Sequence, residues 1–242
     1  MCQDGGFHLT NYVCNNSDVL ATIPKEEQRE CMKKKDISNK QTGEKALGIH
    51  WNISEDVLGF NVNLKDKPNT RRGFLSMLSS IYDPLGLVAP FILEGRRIIQ
   101  RLCQGKFDWD ETVSEELINQ WEAWRKNVKM WKEVKINRCY KPPEFGKVIN
   151  SSLHYFSDAS ENGYGQSSYL RLVDEHGKVY CCPLIGKSRF TPLKVISIPR
   201  LELSAATLSI KVSKQLKEVF KSKNLKEYYW TDSKVLLGYI NN

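Results

Sequence analysis

The order of strand and helix signals in the C-terminal 90 or so residues is the feature of this sequence that most constrains its fold. Strand signals cover Ser152 to Ser157, Gly165 to Leu172 and Val179 to Leu184. A long amphipathic helix follows from about Pro199 to Phe220, then a short strand from Tyr228 to Thr231 and the start of another helix at Ser233. A crossover through the long helix places the fourth strand parallel to the first and beside it. We therefore predict a mixed α/β sheet in which the strands near residues 155 and 229 are neighbours. The apolar face of the helix is predicted to consist of Leu201, Ala205, Leu208, Val212, Leu216 and Val219.

Three acidic residues occupy the ends of these elements. Asp158 follows the first strand, Glu202 falls in the first turn of the long helix, and Asp232 ends the fourth strand. Neighbouring parallel strands end at the same sheet edge, so Asp158 and Asp232 are expected to lie close together. Two close carboxylates repel unless a cation neutralises them, and Mg²⁺ prefers oxygen ligands. The pattern predicts a metal site, although three unrelated surface acids remain the alternative at this point.

The N-terminal half has a different pattern. Residues 25 to 45 are polar and are predicted to form a solvated loop or exposed helix, and residues 47 to 62 form two short apolar stretches around a turn, which indicates a β-hairpin. Helices are predicted for Arg71 to Tyr82, Val88 to Gln104 and Ser114 to Trp131, the last with an apolar stripe of Leu117, Trp121, Trp124 and Val128. The Lys141-Pro142-Pro143 stretch indicates a linker over residues 132–150. We predict an N-terminal unit over 1–131 and a second domain over 151–242.

Composition favours an intracellular protein with a polyanionic partner. The chain of 242 residues has a formal net charge of +8, which suits nucleic acid. Its seven cysteines are odd in number and form no C-x-x-C pair, so a disulfide framework and a cysteine-rich zinc site are both disfavoured. No apolar run approaches the length of a membrane span, and no signal peptide is evident. We expect no membrane association.

The residues around the three acids resemble the ribonuclease H domain of retroelements. His154 to Gly165 reads HYFSDASENGYG, Ile198 to Ala206 reads IPRLELSAA, and Trp230 to Val235 reads WTDSKV. These blocks are most similar to BEL/Pao-type retrotransposons, in a region that carries a Pao peptidase family name. Upstream segments resemble the palm end and thumb of the same elements' reverse transcriptase. They are Gly5-Gly6-Phe7-x-Leu9, the Leu47-Gly48-Ile49-x-Trp51 hairpin, the highly specific block LSSIYDPLGLVAPF from Leu78 to Phe91, and Phe107-x-Trp109 ahead of a tryptophan-rich helix.

The resemblance implies an α+β N-terminal unit, with a β-hairpin and a helical thumb, followed by an α/β ribonuclease H-like mixed sheet. It also implies two-metal hydrolysis of the RNA strand of RNA–DNA hybrids, with two Mg²⁺ or Mn²⁺ ions. Asp158 would be shared by both ions, and Glu202 and Asp232 would complete the shell of one. A fourth acid of the family would fall beyond Asn242, so we expect a domain truncated at its C-terminus with weak or absent nuclease activity. The expected setting is a Pol polyprotein, whose remainder is a partner, in the cytoplasm or a virus-like particle.

Other activities are disfavoured by missing motifs. The palm of a reverse transcriptase needs a Y-x-D-D-type acid pair, and none occurs, since Asp108-x-Asp110 precedes a thumb helix. An aspartic peptidase needs D-T-G or D-S-G, whereas Asp232-Ser233 is followed by Lys234. We expect neither activity. The alternative to a nuclease is a non-catalytic nucleic-acid-binding remnant of a retroelement.

Several basic residues are candidates for nucleic-acid contacts. Their side chains either contact phosphates or are merely solvated, and the sequence leaves both open. The candidates are Arg71, Arg72, Arg96, Arg97, Arg101, Lys187 and Arg189. His154 lies on an apolar strand and is interpreted as a hydrogen-bonded histidine rather than a ligand.

Overall fold

The computed structural model describes residues 3–30, 43–46, 49–60, 62, 64–131, 134–220 and 225–241. The chain divides into two compact units. The first unit is Met1–Asn61 with Trp131–Cys139, and the second is Val62–Met130 with Tyr140–Asn242. Most of the polar stretch predicted as a loop or exposed helix, residues 31–42, lies outside the described residues.

The described residues of the first unit form a short 3₁₀ turn, a short helix and an antiparallel sheet. The turn spans Gln3–Gly5, α1 spans Ser17–Ala21, and the strands are β1 (Gly43–Ala46), β2 (Ile49–Asn52), β3 (Val57–Phe60) and β4 (Lys135–Asn137), in the order β1-β2-β3-β4. The predicted hairpin is confirmed, since β2 and β3 pair antiparallel. The Asn52 side-chain oxygen accepts hydrogen bonds from the Ser54 and Glu55 N–H groups at 3.1 and 3.2 Å, which stabilises the turn.

Two elements fall within the stretch predicted as a linker. β4 pairs with β3 through Leu58 and Ile136, and β5 begins at Val148, inside the predicted 132–150 range. Residues 135–137 and 148–150 of the predicted linker are thus in strands, and the domain boundary in this segment stays a prediction. A strand of three residues is too short to show a period of two, so its sequence carries no signal.

The helices of the second unit agree with the predicted positions. They are α2 (Arg71–Ser79), α3 (Ala89–Gln104) and α4 (Glu115–Met130). α2 ends at Ser79, three residues before the predicted Tyr82. Trp121, Trp124 and Val128 of the predicted core stripe of α4 are buried, whereas Leu117 is half-buried.

The second sheet has the predicted arrangement. Its strands are β5 (Val148–Ser160), β6 (Gly163–Asp174), β7 (Val179–Phe190) and β8 (Lys226–Trp230), in the order β7-β6-β5-β8. β5 and β6 are antiparallel, as are β6 and β7. β8 runs parallel to β5, with Tyr155 opposite Tyr229, as predicted. The remaining helices are α5 (Ile198–Phe220) and α6 (Lys234–Asn241).

Helix α5 covers one face of this sheet. Its Val212 joins a core cluster with Leu153, Tyr155, Leu170 and Leu172. The predicted apolar face was wrong at its end, because Val219 is 69% exposed and Phe220 packs against the cluster instead. The cause is the helical period, since the i+4 series that passes through Val212 and Leu216 continues to Phe220.

The start of α5 also differs from the prediction. The helix begins at Ile198, so Glu202 lies in its second turn and not in the first. Pro199 is compatible with any position of the first turn, where N–H groups have no intrahelical acceptor, and so it does not define the first residue. Among the described residues, no helix is both long and apolar enough to cross a lipid bilayer.

Candidate metal centre

Three carboxylates from separate elements converge at one end of the second sheet. Ligand atoms of Asp158, Glu202 and Asp232 all lie within 4.8 Å of one another. The first comes from β5, the second from α5 and the third from the residues after β8. The predicted convergence is thus present, and the distances are within the range in which one cation can contact several carboxylates.

The two aspartates owe their proximity to the parallel pairing of β5 and β8. Phe156 lies opposite Trp230, and Asp158 and Asp232 each follow two residues later in their chains. The Ser157 hydroxyl donates to the Trp230 carbonyl at 3.4 Å, which ties the two strand ends together. The Ala159 N–H donates to the Asp158 carboxylate at 2.7 Å. Asp232 precedes α6, so it lies at a strand-to-helix turn.

Glu202 is the buried member of the group. It is 7% exposed, and its Oε2 atom is buried without a hydrogen-bond partner. Burial raises the pKa of Glu202, the charges of Asp158 and Asp232 raise it further, and a backbone hydrogen bond from Ala159 opposes the rise. A buried carboxylate oxygen without a donor, beside two more carboxylates, is a position that a divalent cation would satisfy. The residues present therefore fit a divalent metal ion.

A Glu202→Gln substitution is expected to raise the stability of the metal-free protein. The folded-state pKa of Glu202 lies above its unfolded value, so its contribution to the free energy of unfolding falls as pH rises through that folded pKa. Glutamine does not ionise, so the free energy of unfolding of the variant does not decrease for this reason as pH rises. We expect the variant to melt about 2–4 °C higher at neutral pH, and the difference to shrink towards about pH 4.

Thermal unfolding in a chelator across this pH range is the measurement. Glu218→Gln, at an exposed position of the same helix, is the matched control and should show no such pH-dependent gain. Equal melting temperatures for Glu202→Gln and the parent chain at every pH would show that the Glu202 charge is not destabilising.

His154 is not part of the group of acids. Its Nδ1 accepts a hydrogen bond from the Trp230 indole N–H at 3.1 Å, and its Nε2 lies 3.0 Å from the Ser152 hydroxyl. Because an indole only donates, the ring proton of a neutral His154 is on Nε2 and is donated to Ser152. Burial lowers the pKa of His154, and the Arg171 charge lowers it further. The interpretation as a hydrogen-bonded histidine is confirmed, although the side chain is half-buried rather than in the core.

Asp158 and Asp232 line an open cleft of about 630 Å³. Its other lining residues come from the ends of β5, β6, β7 and β8 and from the beginning of α3. The α3 residues are Ala89, Pro90 and Leu93. We did not predict these residues as part of the site. The only sequence signal that could have indicated them is the specific Leu78 to Phe91 block, which resembles a thumb segment.

Of the seven basic candidates, only Lys187 lines this cleft. Its Nζ lies 3.3 Å from the Gln215 side-chain oxygen. The others are engaged elsewhere or are exposed outside the cleft lining. Arg71 lies over the Trp109 ring, Arg72 pairs with Asp110, Arg97 donates to Asn162, Arg101 donates to Gln120, and Arg96 and Arg189 are exposed. Their proposed contacts with nucleic acid stay predictions.

Comparisons with known proteins place this geometry in a family. A family model described as the Pao retrotransposon-like RNaseH-like domain matches residues 70–233, which include all three carboxylates. A comparison with curated protein sequences found no match. Among solved structures, the chain is similar to a foamy viral protease-reverse transcriptase in complex with dsDNA, at 13% identity and a TM-score of 0.41. That similarity covers 81% of this chain and 38% of the viral chain. Because the family match covers more than half of its residues, the chain belongs to the Pao retrotransposon-like RNaseH-like domain family.

Proposed function

We propose that this domain hydrolyses the RNA strand of RNA–DNA hybrids with divalent metal ions held by Asp158, Glu202 and Asp232. The single observation that carries the proposal is the convergence of the three carboxylates within 4.8 Å in a ribonuclease H-like family member. Two such ions, Mg²⁺ or Mn²⁺, would activate the attacking water and stabilise the leaving oxygen of the phosphodiester.

The donor set favours a hard cation. All three side chains offer only carboxylate oxygens, which suit Mg²⁺ or Mn²⁺ better than zinc or copper. Asp158 is proposed to contact both ions, with Glu202 and Asp232 completing the shell of one. Glu202 supports this role because one of its oxygens is buried without a partner, and because the nearby charges of Asp158 and Asp232 disfavour its ionised form unless a cation neutralises them.

The substrate class follows from charge and from the family. A net charge of +8 favours a polyanion, and Lys187 adds a positive side chain to the cleft. Arg71, Arg72, Arg96, Arg97, Arg101 and Arg189 are further proposed contacts to the phosphate backbone, which would position the hybrid without reading its sequence. We propose that the whole protein acts within a retrotransposon Pol polyprotein, in the cytoplasm or a virus-like particle.

The segment before the family match has a separate proposed origin. We propose that residues 1–69 belong to the reverse transcriptase palm end and thumb-like region predicted over 1–131, and that they contribute no polymerase chemistry, since the required acid pair does not occur in the sequence. A peptidase role is disfavoured for the same kind of reason, since the motif that presents the catalytic aspartate of aspartic peptidases is also missing.

Asp158→Asn is expected to remove metal binding and any cleavage. Removing an outer-shell partner of a metal site typically costs about 10–100-fold in affinity or activity, and a shared ligand should cost at least as much. Calorimetric titration of the full chain with Mn²⁺ measures the affinity, and a gel assay with a labelled RNA–DNA hybrid measures cleavage of the RNA strand.

The control is Asp108→Asn, which makes the same change at an exposed position outside the cleft. It should leave both measurements unchanged. Equal Mn²⁺ affinity for Asp158→Asn and the parent chain would contradict the metal site. Hybrid binding without Asp158-dependent metal binding or cleavage would instead support a non-catalytic nucleic-acid-binding remnant.

A further inference from the structure

The specific block from Leu78 to Phe91 docks the beginning of α3 onto β7. The Gly186 N–H donates to the Leu85 carbonyl at 2.7 Å, and the Ser188 hydroxyl donates to the Ala89 carbonyl at 3.0 Å. Gly86 makes the approach possible, because a Cβ on it would lie 1.7 Å from the Gly186 carbonyl oxygen. Two backbones can meet this closely only where both residues lack a side chain.

The rest of α3 is fixed to the same sheet. Leu93 lies against Gly163, where a Cβ would come within 2.9 Å of the leucine methyl group. Arg97 donates to the Asn162 side-chain oxygen at 2.6 Å, in the turn between β5 and β6. Gln100 donates to the Thr191 carbonyl at 2.6 Å, just after β7. The helix is therefore attached at several points along its length, and the family match that starts at residue 70 includes it together with the sheet.

This docking places three α3 residues in the cleft that holds the acids. Ala89 and Leu93 are half-buried, and Pro90 is exposed. They lie in the same lining as Asp158 and Asp232. The cleft consequently has the carboxylates in one part and an apolar surface in another.

The chemistry of this apolar surface differs from that of an anion site. The Asp83 carboxylate already accepts hydrogen bonds from the Leu87 and Val88 N–H groups, at 3.0 and 2.8 Å. Val88 is the N-cap of α3, and the Ala89 and Phe91 amides in its first turn donate to the Gly86 and Val88 carbonyls, so these amides are already engaged and a negative group lies beside them. Ala89, Pro90 and Leu93 offer only apolar contact, which suits a sugar or base rather than a phosphate.

We propose that Ala89, Pro90 and Leu93 form a wall of the nuclease cleft against which a nucleotide of the bound strand lies, next to the phosphate at the carboxylates. The inference rests on the proposed function and names a substrate contact for it. The cleft volume of about 630 Å³ falls in the range of sites that hold ligands of nucleotide size. The helix that precedes the sheet in the chain is thereby part of the substrate site.

The test is a pair of substitutions at Pro90 that differ only in charge. Pro90→Glu and Pro90→Gln have side chains of the same shape, and both lose the proline ring in the first turn of α3. An acid in a first helical turn is favoured by the helix dipole, so the Glu variant should be no less stable than the Gln variant. Phe91→Glu and Phe91→Gln form the control pair one residue later, at a side chain that is 46% exposed and outside the cleft lining.

Binding of a labelled RNA–DNA hybrid is measured by fluorescence anisotropy on full-length chains that also carry Asp158→Asn, which prevents cleavage. Pro90→Glu should bind about tenfold more weakly than Pro90→Gln, because a negative charge would face the polyanionic strand. The difference should shrink as salt rises. Phe91→Glu and Phe91→Gln should bind the hybrid with nearly equal affinity.

Each other result overturns the proposal. Equal binding by the Pro90 pair would show that the wall does not face the strand, and equal losses in the two pairs would indicate a general charge effect. Failure of every variant and of the parent chain to bind the hybrid at low salt would contradict the proposed function itself, and the wall with it.

Discussion

Gly86→Ala is expected to lower the free energy of unfolding of the second unit by about 2–4 kcal/mol. Gly86 has a φ of +67°, a conformation that L side chains rarely adopt. A Cβ there would also overlap the Gly186 carbonyl oxygen, which belongs to backbone and cannot rotate away. The substitution should therefore both strain the Asp83 to Gly86 turn and push α3 away from β7.

Two further variants separate the cost of the backbone conformation from the cost of the clash between α3 and β7. Gly177→Ala introduces the same change at a φ of +78° with nothing within 4 Å, so it should cost only about 1–2 kcal/mol from the backbone conformation. Gly186→Ala acts from the other side of the contact, where a Cβ would lie 2.5 Å from the Gly86 carbonyl oxygen. Urea unfolding followed by circular dichroism measures all three. Equal losses for Gly86→Ala and Gly177→Ala would show that the docking of α3 adds nothing.

Sequence reasoning succeeded where local patterns determine long-range order. The strand signals of β5 and β6, the helical period of α5 and the crossover through that helix together predicted that β8 lies parallel to β5. That pairing is sufficient to bring Asp158 and Asp232 together, because each lies just beyond the Phe156 and Trp230 pair. The candidate site could therefore be predicted before any coordinates.

The docking of α3 could not be predicted in the same way. Its contacts join residues about a hundred positions apart, such as Ala89 and Ser188, and no periodic pattern identifies the partner of a turn glycine. A glycine after Asp-Pro-Leu ordinarily indicates only a turn between two helices, so Gly86 by itself identifies no partner strand. The burial of Glu202 could not be predicted from the sequence either, because a charged residue on a helix is usually exposed unless another part of the fold covers it.

The helices α2, α3 and α4 are placed differently by the predicted and the observed divisions of the chain. The helices were predicted to belong to a unit that ends at residue 131, and that division by origin stays a prediction. In the structure, α2, α3 and α4 lie in the same compact unit as the second sheet. If α3 couples the helices to the sheet, then a substitution that destabilises the helical core should also lower the stability of the sheet.

Trp121→Ala is expected to destabilise this whole unit by about 3–5 kcal/mol, the usual cost of truncating a buried aromatic residue. Trp121 is fully buried and stacks on Phe74, with ring centroids 4.2 Å apart and planes 7° apart. It also contacts Trp124, whose indole N–H donates to the Phe91 carbonyl at 2.9 Å. The cavity would therefore open between α2 and α4 and loosen the support of α3.

The measurement is amide hydrogen exchange of β5 and β6, together with urea unfolding. In a cooperative unit, the strand amides lose protection by the same free energy that the helices lose. Trp109→Ala is the matched control, because that tryptophan is 45% exposed and its removal should cost far less. Unchanged protection of β5 and β6 in Trp121→Ala would show that the helices unfold alone, and would favour the predicted boundary between residues 132 and 150. Loss of protection in both strands would instead show that residues 71–130 are an integral part of the ribonuclease H-like domain, since their core then determines how firmly the strand carrying Asp158 is held.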